Sequence, residues 1–144
     1  MNVKIIEENK KDFLDLLLLA DEEEDRIDLY LERGVLFALY DDDLKSVCVV
    51  TSEGEGSYEM QSLATYPQFQ RRGYGRYLTK YVCEYYKKKG AMIVGTGDSL
   101  VPFYEKSGFA FSYRVKDYFL LHYKEPMYDA GVQLKDKVYL KRNL

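Results

Sequence analysis

The heptapeptide Gln-Arg-Arg-Gly-Tyr-Gly-Arg spans residues 70–76 and combines two glycines with three arginines. Glycine carries no Cβ, so the backbone can turn sharply there and come close to a ligand. The next residues, about 74–89, have a helical pattern in which Leu78 and Val82 share one face, and Gly90 ends it. The stretch therefore predicts a tight turn that leads directly into the longest helix of the chain.

The charge of this turn points to an anionic ligand. The first turn of a helix exposes N–H groups without intrahelical partners, and together with the helix dipole these groups bind phosphate oxygens. Arginine near a helix start is repelled by the dipole, so Arg71, Arg72 and Arg76 suggest an anion that compensates for them. A glycine-rich turn with ordinary surface arginines is the alternative interpretation.

Two other phosphate motifs do not account for the stretch. The P-loop pattern Gly-x-x-x-x-Gly-Lys-Ser/Thr is absent from the chain. A dinucleotide fingerprint needs Gly-x-Gly-x-x-Gly after the first strand, whereas here several predicted strands and two predicted helices come earlier. The heptapeptide therefore indicates a different type of phosphate site.

Periodicity on both sides of the heptapeptide predicts a mixed α/β domain. Before it we expect a strand at 3–6, a helix at about 10–20 capped by Asn9, a second helix ending before Gly34, a hairpin at 35–40 and 44–51, and a strand at about 58–66. After it we expect a strand at 91–95, a helix at 102–107, and strands at 109–114 and 138–140, with residues 116–133 unassigned. This order predicts a single domain, residues 1–144, of the α/β class, with an α+β mixed sheet that is partly antiparallel and partly crossed over by helices.

The composition fits a globular domain and excludes several other classes. The 144 residues are 47% hydrophobic and 31% charged, which is enough for a core. No stretch approaches the roughly 20 apolar residues of a membrane-spanning helix, and the first residues lack a signal-peptide pattern. Cys48 and Cys83 have neither metal-site nor redox spacing. We therefore expect buried thiols, a cytoplasmic location, no metal site and no membrane partner.

The net charge of −3 conceals an acidic half and a basic half. Residues 1–60 carry 6 Lys/Arg and 17 Asp/Glu, whereas residues 61–144 carry 15 and 7. A basic half can hold a polyanion and an acidic half can attract a cation, although solvated surface charge explains any single run more simply. The pI of about 5.3 and the lack of a recognisable binding module argue against a nucleic-acid partner.

Three motifs together resemble the GNAT superfamily of N-acetyltransferases. Gln-Arg-Arg-Gly-Tyr-Gly resembles its Q/R-x-x-G-x-G/A motif, residues 58–65 occupy the place of its preceding strand, and Phe-Tyr-Glu-Lys-Ser-Gly-Phe at 103–109 is similar to its later tyrosine helix. The resemblance covers nearly the whole chain. It is closer still to small bacterial members often labelled indole-acetate-type acetyltransferases, which share the Gly-Thr-Gly-Asp/Asn-Ser turn, here at 95–99, and an ending similar to residues 122–133.

The resemblance implies a fold, a reaction and a co-substrate. The fold is that of the GNAT acyl-CoA N-acyltransferases, with about seven strands and four helices, and the reaction is direct transfer of acetyl from acetyl-CoA to a primary amine of a small molecule or a lysine. Backbone groups of Leu63, Ala64 and Thr65 would pair with the pantetheine arm and polarise the acetyl carbonyl, where the strand splays at a bulge. The other implied coenzyme contacts are Gln70, Arg71, Arg72, Gly73, Tyr74, Gly75 and Arg76, together with Asp98 and Phe103.

The same resemblance implies catalytic roles for Tyr104 and Glu59. The Tyr104 hydroxyl would protonate the departing thiolate, which a phenol with a pKa of about 10 can do, and packing is the alternative role. Glu59 would accept the proton of the acceptor ammonium, directly or through water, unless it is an exposed strand carboxylate. The single histidine, His122, falls away from these motifs, so we interpret it as structural.

The chain departs from the family pattern next to Tyr104. Many relatives have an asparagine at the position of Asp98 and a tyrosine seven residues later, whereas Tyr104 follows Asp98 by six residues with Pro102 between them. We therefore expect a shortened helix, which bears on the reach of Tyr104 towards the coenzyme sulfur.

Further hypotheses concern the acceptor, a second function and assembly. Carboxylates of residues 21–25 would steer a cationic acceptor such as a polyamine, an aminoglycoside or a lysine side chain. A non-catalytic acyl-CoA-binding sensor on the same fold is the alternative function. The aromatic segment 116–133 either forms a homodimer contact, since tyrosine is enriched at interfaces, or closes the core.

Overall fold

Nine strands and five α-helices make up the computed structural model, which describes residues 1–144. The strands are β1 Asn2–Ile6, β2 Val35–Asp41, β3 Asp43–Ser52, β4 Ser57–Thr65, β5 Ala91–Thr96, β6 Ala110–Val115, β7 Tyr128–Asp129, β8 Val132–Gln133 and β9 Lys137–Asn143. The helices are α1 Leu14–Ala20, α2 Glu24–Asp28, α3 Tyr74–Tyr85, α4 Val101–Lys106 and α5 Tyr118–His122, with short 3₁₀ turns at Lys10–Phe13, Pro67–Phe69 and Asp98–Leu100.

Seven of the strands form one mixed sheet in the order β1-β2-β3-β4-β5-β9-β6, and β7 pairs only with β8. Every pairing in the sheet is antiparallel except that of β4 with β5. The mixed sheet and its seven strands confirm the predicted class.

The two faces of the sheet bury two separate cores. Alternate residues of a strand face opposite sides. In β2, Leu36 and Ala38 therefore join a core with α1 and α2, whereas Phe37 and Leu39 join a larger core with α3. Burial on both faces explains why β2 and residues 47–50 of β3 are almost continuously apolar in sequence.

β4 and β5 part halfway along their length. Residues 57–60 of β4 pair with residues 91–94 of β5, and beyond Met60 β4 continues along β3 alone. Gln61 is the extra residue of a bulge, because Val49 pairs with Ser62 while Val50 pairs with Met60. The strands separate at this bulge, which leaves one edge of β4 open.

A buried lysine fixes the N-terminal helical region to the start of β2. The Lys10 ammonium donates to the carbonyl oxygens of Leu31 at 3.1 Å, Glu32 at 3.1 Å and Gly34 at 2.7 Å. These oxygens lie where the turns after α2 end, so one cation satisfies carbonyl groups that a continuing helix would have used, of which only that of Leu31 also accepts a backbone hydrogen bond, from the Gly34 N–H at 3.3 Å.

Differences from the predicted elements have local causes. Asn9 does not cap a helix, because it has a left-handed φ of 56° and its side chain accepts no capping hydrogen bond. The predicted helix at 10–20 is therefore a 3₁₀ turn followed by α1. α3 ends at Tyr85, earlier than predicted, since residues 86–89 form turns in which Lys88 has a φ of 65°. The unassigned segment holds α5 and the β7–β8 hairpin, so there are five α-helices rather than four.

Candidate active site

A cavity of about 930 Å³ runs through the opening between β4 and β5. One end is formed by the heptapeptide at 70–76, and the other by α1, α2 and the C-terminal aromatic segment. The predicted residues in its wall are Leu63, Ala64, Thr65, Gln70, Arg71, Gly73, Tyr74, Gly75, Arg76, Phe103 and Tyr104. The fold thus brings together residues that are up to about forty positions apart in sequence.

Three predicted site residues are not in the cavity wall. The exposed Asp98 is bound by Arg114, with Nη2–Oδ1 and Nη1–Oδ2 distances of 2.7 and 3.1 Å. The Arg72 guanidinium lies 5.8 Å from the centroid of the Phe69 ring. Glu59 is half-buried and directly precedes Met60, the first residue of β4 that lines the cavity. Burial raises the pKa of its carboxyl group.

The start of α3 lies in the cavity wall. Gly73 precedes the helix with a φ of 89°, and no side chain caps the helix. The first hydrogen bond of the helix runs from the Tyr77 N–H to the Gly73 carbonyl oxygen, at 2.9 Å. The N–H groups of residues 74–76 therefore have no partner within the helix. No acidic residue lies in the first turn. This terminus is therefore an uncompensated positive end, suited to a phosphate group.

The glycines of the heptapeptide serve different needs. A Cβ on Gly73 would meet no atom within 4 Å, so the positive φ is what favours glycine there. Gly75 is helical, and a Cβ there would stand 3.6 Å from the Phe103 ring and 3.7 Å from Thr65 Oγ1. Gly75 therefore keeps the helix start, β4 and α4 close without filling the space between them.

Tyr104 is buried in the wall between aromatic neighbours. Its ring meets Phe103 and Phe109 edge-on, with centroids 5.0 and 5.7 Å away. The 3₁₀ turn Asp98–Leu100 runs directly into α4, with Pro102 in its first turn, and this short connection still brings Tyr104 to the cavity. Burial raises the pKa of Tyr104 well above the ordinary value for a tyrosine, so its hydroxyl remains protonated in neutral solution.

Ser62 contributes a polar atom that lies beside the Tyr30 hydroxyl but makes no hydrogen bond of ordinary length within the protein. Its Oγ is the one buried side-chain nitrogen or oxygen in the chain without a hydrogen-bond partner, and Ser62 lies in the cavity wall beside Leu63. Buried hydroxyl groups are nearly always paired. An unpaired one in a cavity is therefore available to a bound molecule.

The far end of the cavity contains residues that the sequence did not single out. Arg26, Tyr30, Tyr118, Tyr123 and Lys137 all lie in its wall. The only signal for Tyr118 and Tyr123 was the high tyrosine content of the C-terminal segment. Arg26 gave no signal, because the short helix α2 has too little periodicity to predict which of its residues face inward.

The acidic run at 21–25 is largely engaged within the protein. The two oxygens of the buried Asp21 accept hydrogen bonds from Tyr30 at 3.2 Å and Tyr123 at 2.9 Å, and burial raises the pKa of Asp21. Glu23 accepts from the Lys124 N–H at 2.7 Å, and Asp25 pairs with the Lys124 ammonium at 3.1 Å. These carboxylates therefore fasten the C-terminal segment to the helices.

The open mixed sheet and the uncapped helix at its opening define the GNAT class of fold. The acetyltransferase (GNAT) family model matches residues 3–109, and the chain belongs to this family. None of its helices has the length and apolar character that a membrane crossing requires. No group of three or more His, Cys, Asp or Glu side chains is arranged to hold a metal ion.

Similar proteins include both a curated relative and experimental structures. The chain is 34% identical over 150 residues to the uncharacterized N-acetyltransferase YvbK of Bacillus subtilis (strain 168), covering 100% of this chain and 97% of that protein. A GNAT family acetyltransferase of Elizabethkingia anophelis with acetyl-CoA bound has a TM-score of 0.92 at 28% identity, covering 99% of this chain and 97% of that chain. An IAA acetyltransferase from Bacillus cereus ATCC 14579 has the same TM-score and identity, covering 99% of each chain. These relatives confirm the predicted fold and the predicted closeness to the indole-acetate-type members.

Proposed function

We propose that this chain is an acetyl-CoA-dependent N-acetyltransferase that transfers acetyl directly to a primary amine. One observation carries the proposal: a single cavity joins the uncapped start of α3 to Tyr104 and continues to the far side of the sheet. Family membership supports the reaction class, and the acetyl-CoA bound to the Elizabethkingia relative supports the co-substrate.

The residues at the opening fit the coenzyme. The N–H groups of residues 74–76 hold its diphosphate, with Arg71 and Arg76 adding positive charge, and the open edge of β4 at Leu63, Ala64 and Thr65 receives the pantetheine arm. Gln70 supports this arrangement, since its Nε2 donates to the Thr65 carbonyl at 3.1 Å. Asp98 and Arg72, which are outside the wall, have less support as coenzyme contacts.

The chain's own groups handle the protons of the transfer. Acetyl-CoA, when bound, supplies an acetyl group on a thiol leaving group. As the amine nitrogen bonds to the acetyl carbon and the carbon–sulfur bond breaks, Tyr104 donates its hydroxyl proton to the sulfur. The second proton that the nitrogen loses in forming the amide restores the Tyr104 hydroxyl. Ser62 Oγ accepts a hydrogen bond from the amine and positions it beside β4. Glu59 receives the ammonium proton through water, because it stands just outside the cavity wall.

The test combines coenzyme binding with turnover of wild-type and variant protein. Tyr104→Phe is expected to lower kcat about 100-fold or more, with the affinity for acetyl-CoA nearly unchanged, because it removes only the proton donor. Tyr86→Phe is the matched control, since Tyr86 is also a buried tyrosine but lies outside the cavity. Thiol release over a panel of amines and calorimetry with acetyl-CoA supply the two readouts.

Each outcome has a definite meaning. If the protein binds acetyl-CoA but releases no thiol with any amine of the panel, the alternative function, a non-catalytic acyl-CoA sensor, would be favoured. Full activity of Tyr104→Phe would remove Tyr104 from the mechanism. Absence of coenzyme binding by correctly folded protein would contradict the proposed function itself.

We also propose a cytoplasmic homodimer. Cys48 and Cys83 are buried and unpaired, as a reducing compartment favours. Leu121 is 76% exposed and Val132 66%, and both belong to the C-terminal segment. Apolar side chains in such a position favour a contact with a second copy. Light scattering at two protein concentrations would test the homodimer, and a monomer at both concentrations would contradict it.

A further inference from the structure

Two cations converge on one tyrosine at the far end of the cavity. Arg26 Nη2 donates to the Tyr118 hydroxyl at 2.8 Å, and Lys137 Nζ lies 4.5 Å from the centroid of the Tyr118 ring. Both cations are half-buried and both lie in the cavity wall. Like charges that share one aromatic neighbour repel one another, most strongly where water is scarce.

No carboxylate of the protein pairs with either cation. The ion pairs of the structure involve other basic residues, namely Lys11, Arg33, Lys45, Arg114 and Lys124. Asp21 is the acidic neighbour of Arg26, but its two oxygens already accept from tyrosines. Glu59 interacts with Lys137 only beyond ion-pair distance. An anion between the two cations would therefore find unused donors.

The aromatic side chains at this end do not offer a site for a cationic ligand. Aromatic faces attract cations, but here the protein's own cations occupy them. Arg26 lies over the Tyr123 ring at 5.3 Å, and Lys137 lies over the Tyr139 ring at 5.1 Å as well as over Tyr118. A second cation would meet these charges rather than the rings. This arrangement argues against steering of a polycationic acceptor.

A polar atom without a hydrogen bond of ordinary length lies in the same cavity, namely Ser62 Oγ beside the Tyr30 hydroxyl. Ser62 is in β4, next to the backbone groups that would face the acetyl group. A molecule with an amine at one end and an anionic group at the other would satisfy both positions, with the amine at Ser62 and the anion at Arg26 and Lys137. Either feature alone would not define the acceptor, but together they define both of its ends.

We propose that the acceptor is an amine that also carries a carboxylate, and that Arg26 and Lys137 bind this carboxylate. The inference rests on the proposed acetyltransferase function and names its substrate class. The planar guanidinium of Arg26 matches a carboxylate in a two-point hydrogen bond. A singly charged group fits better than a doubly charged phosphate, because Asp21 and Glu59 stand nearby.

The experiment compares amines that differ only in the anionic group. Phenylalanine is paired with phenethylamine, tyrosine with tyramine, and 4-aminobutanoate with propylamine, so that chain length and aromatic content both vary. We expect kcat/KM to be at least about tenfold higher for the carboxylated member of the preferred pair, as for a hydrogen bond to a charged group. O-Phosphoethanolamine is included to separate a carboxylate from a phosphate.

Variants assign the preference to the two cations. R26Q and K137M are each expected to reduce kcat/KM about tenfold for the carboxylated amine, mainly through KM, and less than twofold for its partner. R26K should retain part of the preference. R33Q is the matched control, because Arg33 also lies in the wall but pairs with Glu53, and it should leave the ratio within a pair unchanged.

The outcomes separate this inference from the proposed function. Equal rates within every pair, or faster reaction of the decarboxylated amine, would overturn the inference while leaving an acetyltransferase. Preference for the phosphate compound would also overturn it. Lack of acetyl-CoA binding would overturn the function and the inference together. Because Arg26 also donates a hydrogen bond to Tyr118, R26Q can lower stability, so its thermal unfolding is measured together with that of K137M. K137M removes no hydrogen bond. If it leaves the preference for the carboxylated amine unchanged, that result would count against the inference.

Discussion

Glu59 and Asp21 are two carboxylic acids near one cavity, and burial raises the pKa of each. They differ in their surroundings. Asp21 lies in the wall and is bound by two tyrosine hydroxyl groups, whereas Glu59 lies just outside the wall. A group that must take up a proton works only above its own pKa. Their substitution therefore distinguishes which carboxylate serves the reaction.

The acid limb of the pH–rate profile is expected to follow Glu59. Since its pKa is raised from 4.5, kcat/KM should fall as the pH drops through a value above 4.5. Glu59→Gln should lower the rate about 100-fold and remove this limb. Asp21→Asn is the matched control and should keep it. Rate profiles between pH 4.5 and 8 provide the measurement, and a limb that survives in Glu59→Gln but not in Asp21→Asn would transfer the role to Asp21.

At the scale of elements, the start of α3 depends on two glycines with different constraints. Gly73→Ala is expected to cost about 1 kcal/mol in the free energy of unfolding, because its φ of 89° disfavours a side chain. A Cβ at Gly75 would make ordinary van der Waals contacts, and the backbone there is helical. Gly75→Ala should therefore leave the free energy of unfolding unchanged or raise it slightly.

Coenzyme affinity tests the same pair of variants. Gly75→Ala should weaken acetyl-CoA binding about tenfold although the protein is no less stable, since the added methyl group enters the space beside Thr65 and Phe103. Denaturant unfolding and calorimetry supply the two measurements. Unchanged affinity in both variants would contradict a diphosphate site at this helix start.

The N-terminal helices depend on Lys10. Lys10→Met is expected to cost about 2 kcal/mol in the free energy of unfolding, because three carbonyl oxygens lose their buried donor. Lys11→Met is the matched control: Lys11 pairs with Glu24 and Asp28 at the surface, where ion pairs contribute little. Urea unfolding would show the difference, and equal effects of the two substitutions would contradict the buried role of Lys10.

At the scale of the whole molecule, buried and half-buried tyrosines couple stability to alkaline pH. Burial raises the pKa of Tyr30, Tyr86, Tyr104, Tyr123 and Tyr139, for Tyr86 to about 12. In the unfolded chain these groups lose their protons near the ordinary value of 10.0. The contribution of these tyrosines to stability is therefore complete below pH 10 and is lost as the pH rises through the raised values.

Thermal unfolding should reveal this coupling. We expect the Tm to change little from pH 8 to 9.5 and to fall steeply between pH 10 and 11.5. Tyr86→Phe should make the fall shallower, because it removes one of the linked groups. A Tm that stays constant to pH 11.5 would contradict burial of these hydroxyl groups.

Much of the architecture was predictable because its signals are local. The heptapeptide, the long helix after it, the apolar strand β2 and the apolar centre of β3 are each specified by neighbouring residues. The family motifs placed them in order. Asn9 misled the prediction because the preference for a cap residue does not exclude a left-handed conformation. The length of α3 was overestimated because lysines favour a helix while Lys88 here turns out of it.

The sequence by itself determined the mixed sheet, the glycine-rich helix start and the tyrosine that follows β5. Only the tertiary structure decided the charge at the far end of the cavity. It fastened the acidic run to Lys124 and Tyr123, about a hundred residues away, and brought Arg26 and Lys137 to one ring. Helices and strands can be predicted because their patterns depend on residues that are close in sequence. The sign of the charge in a cavity cannot, because it depends on which distant partners neutralise each charged group.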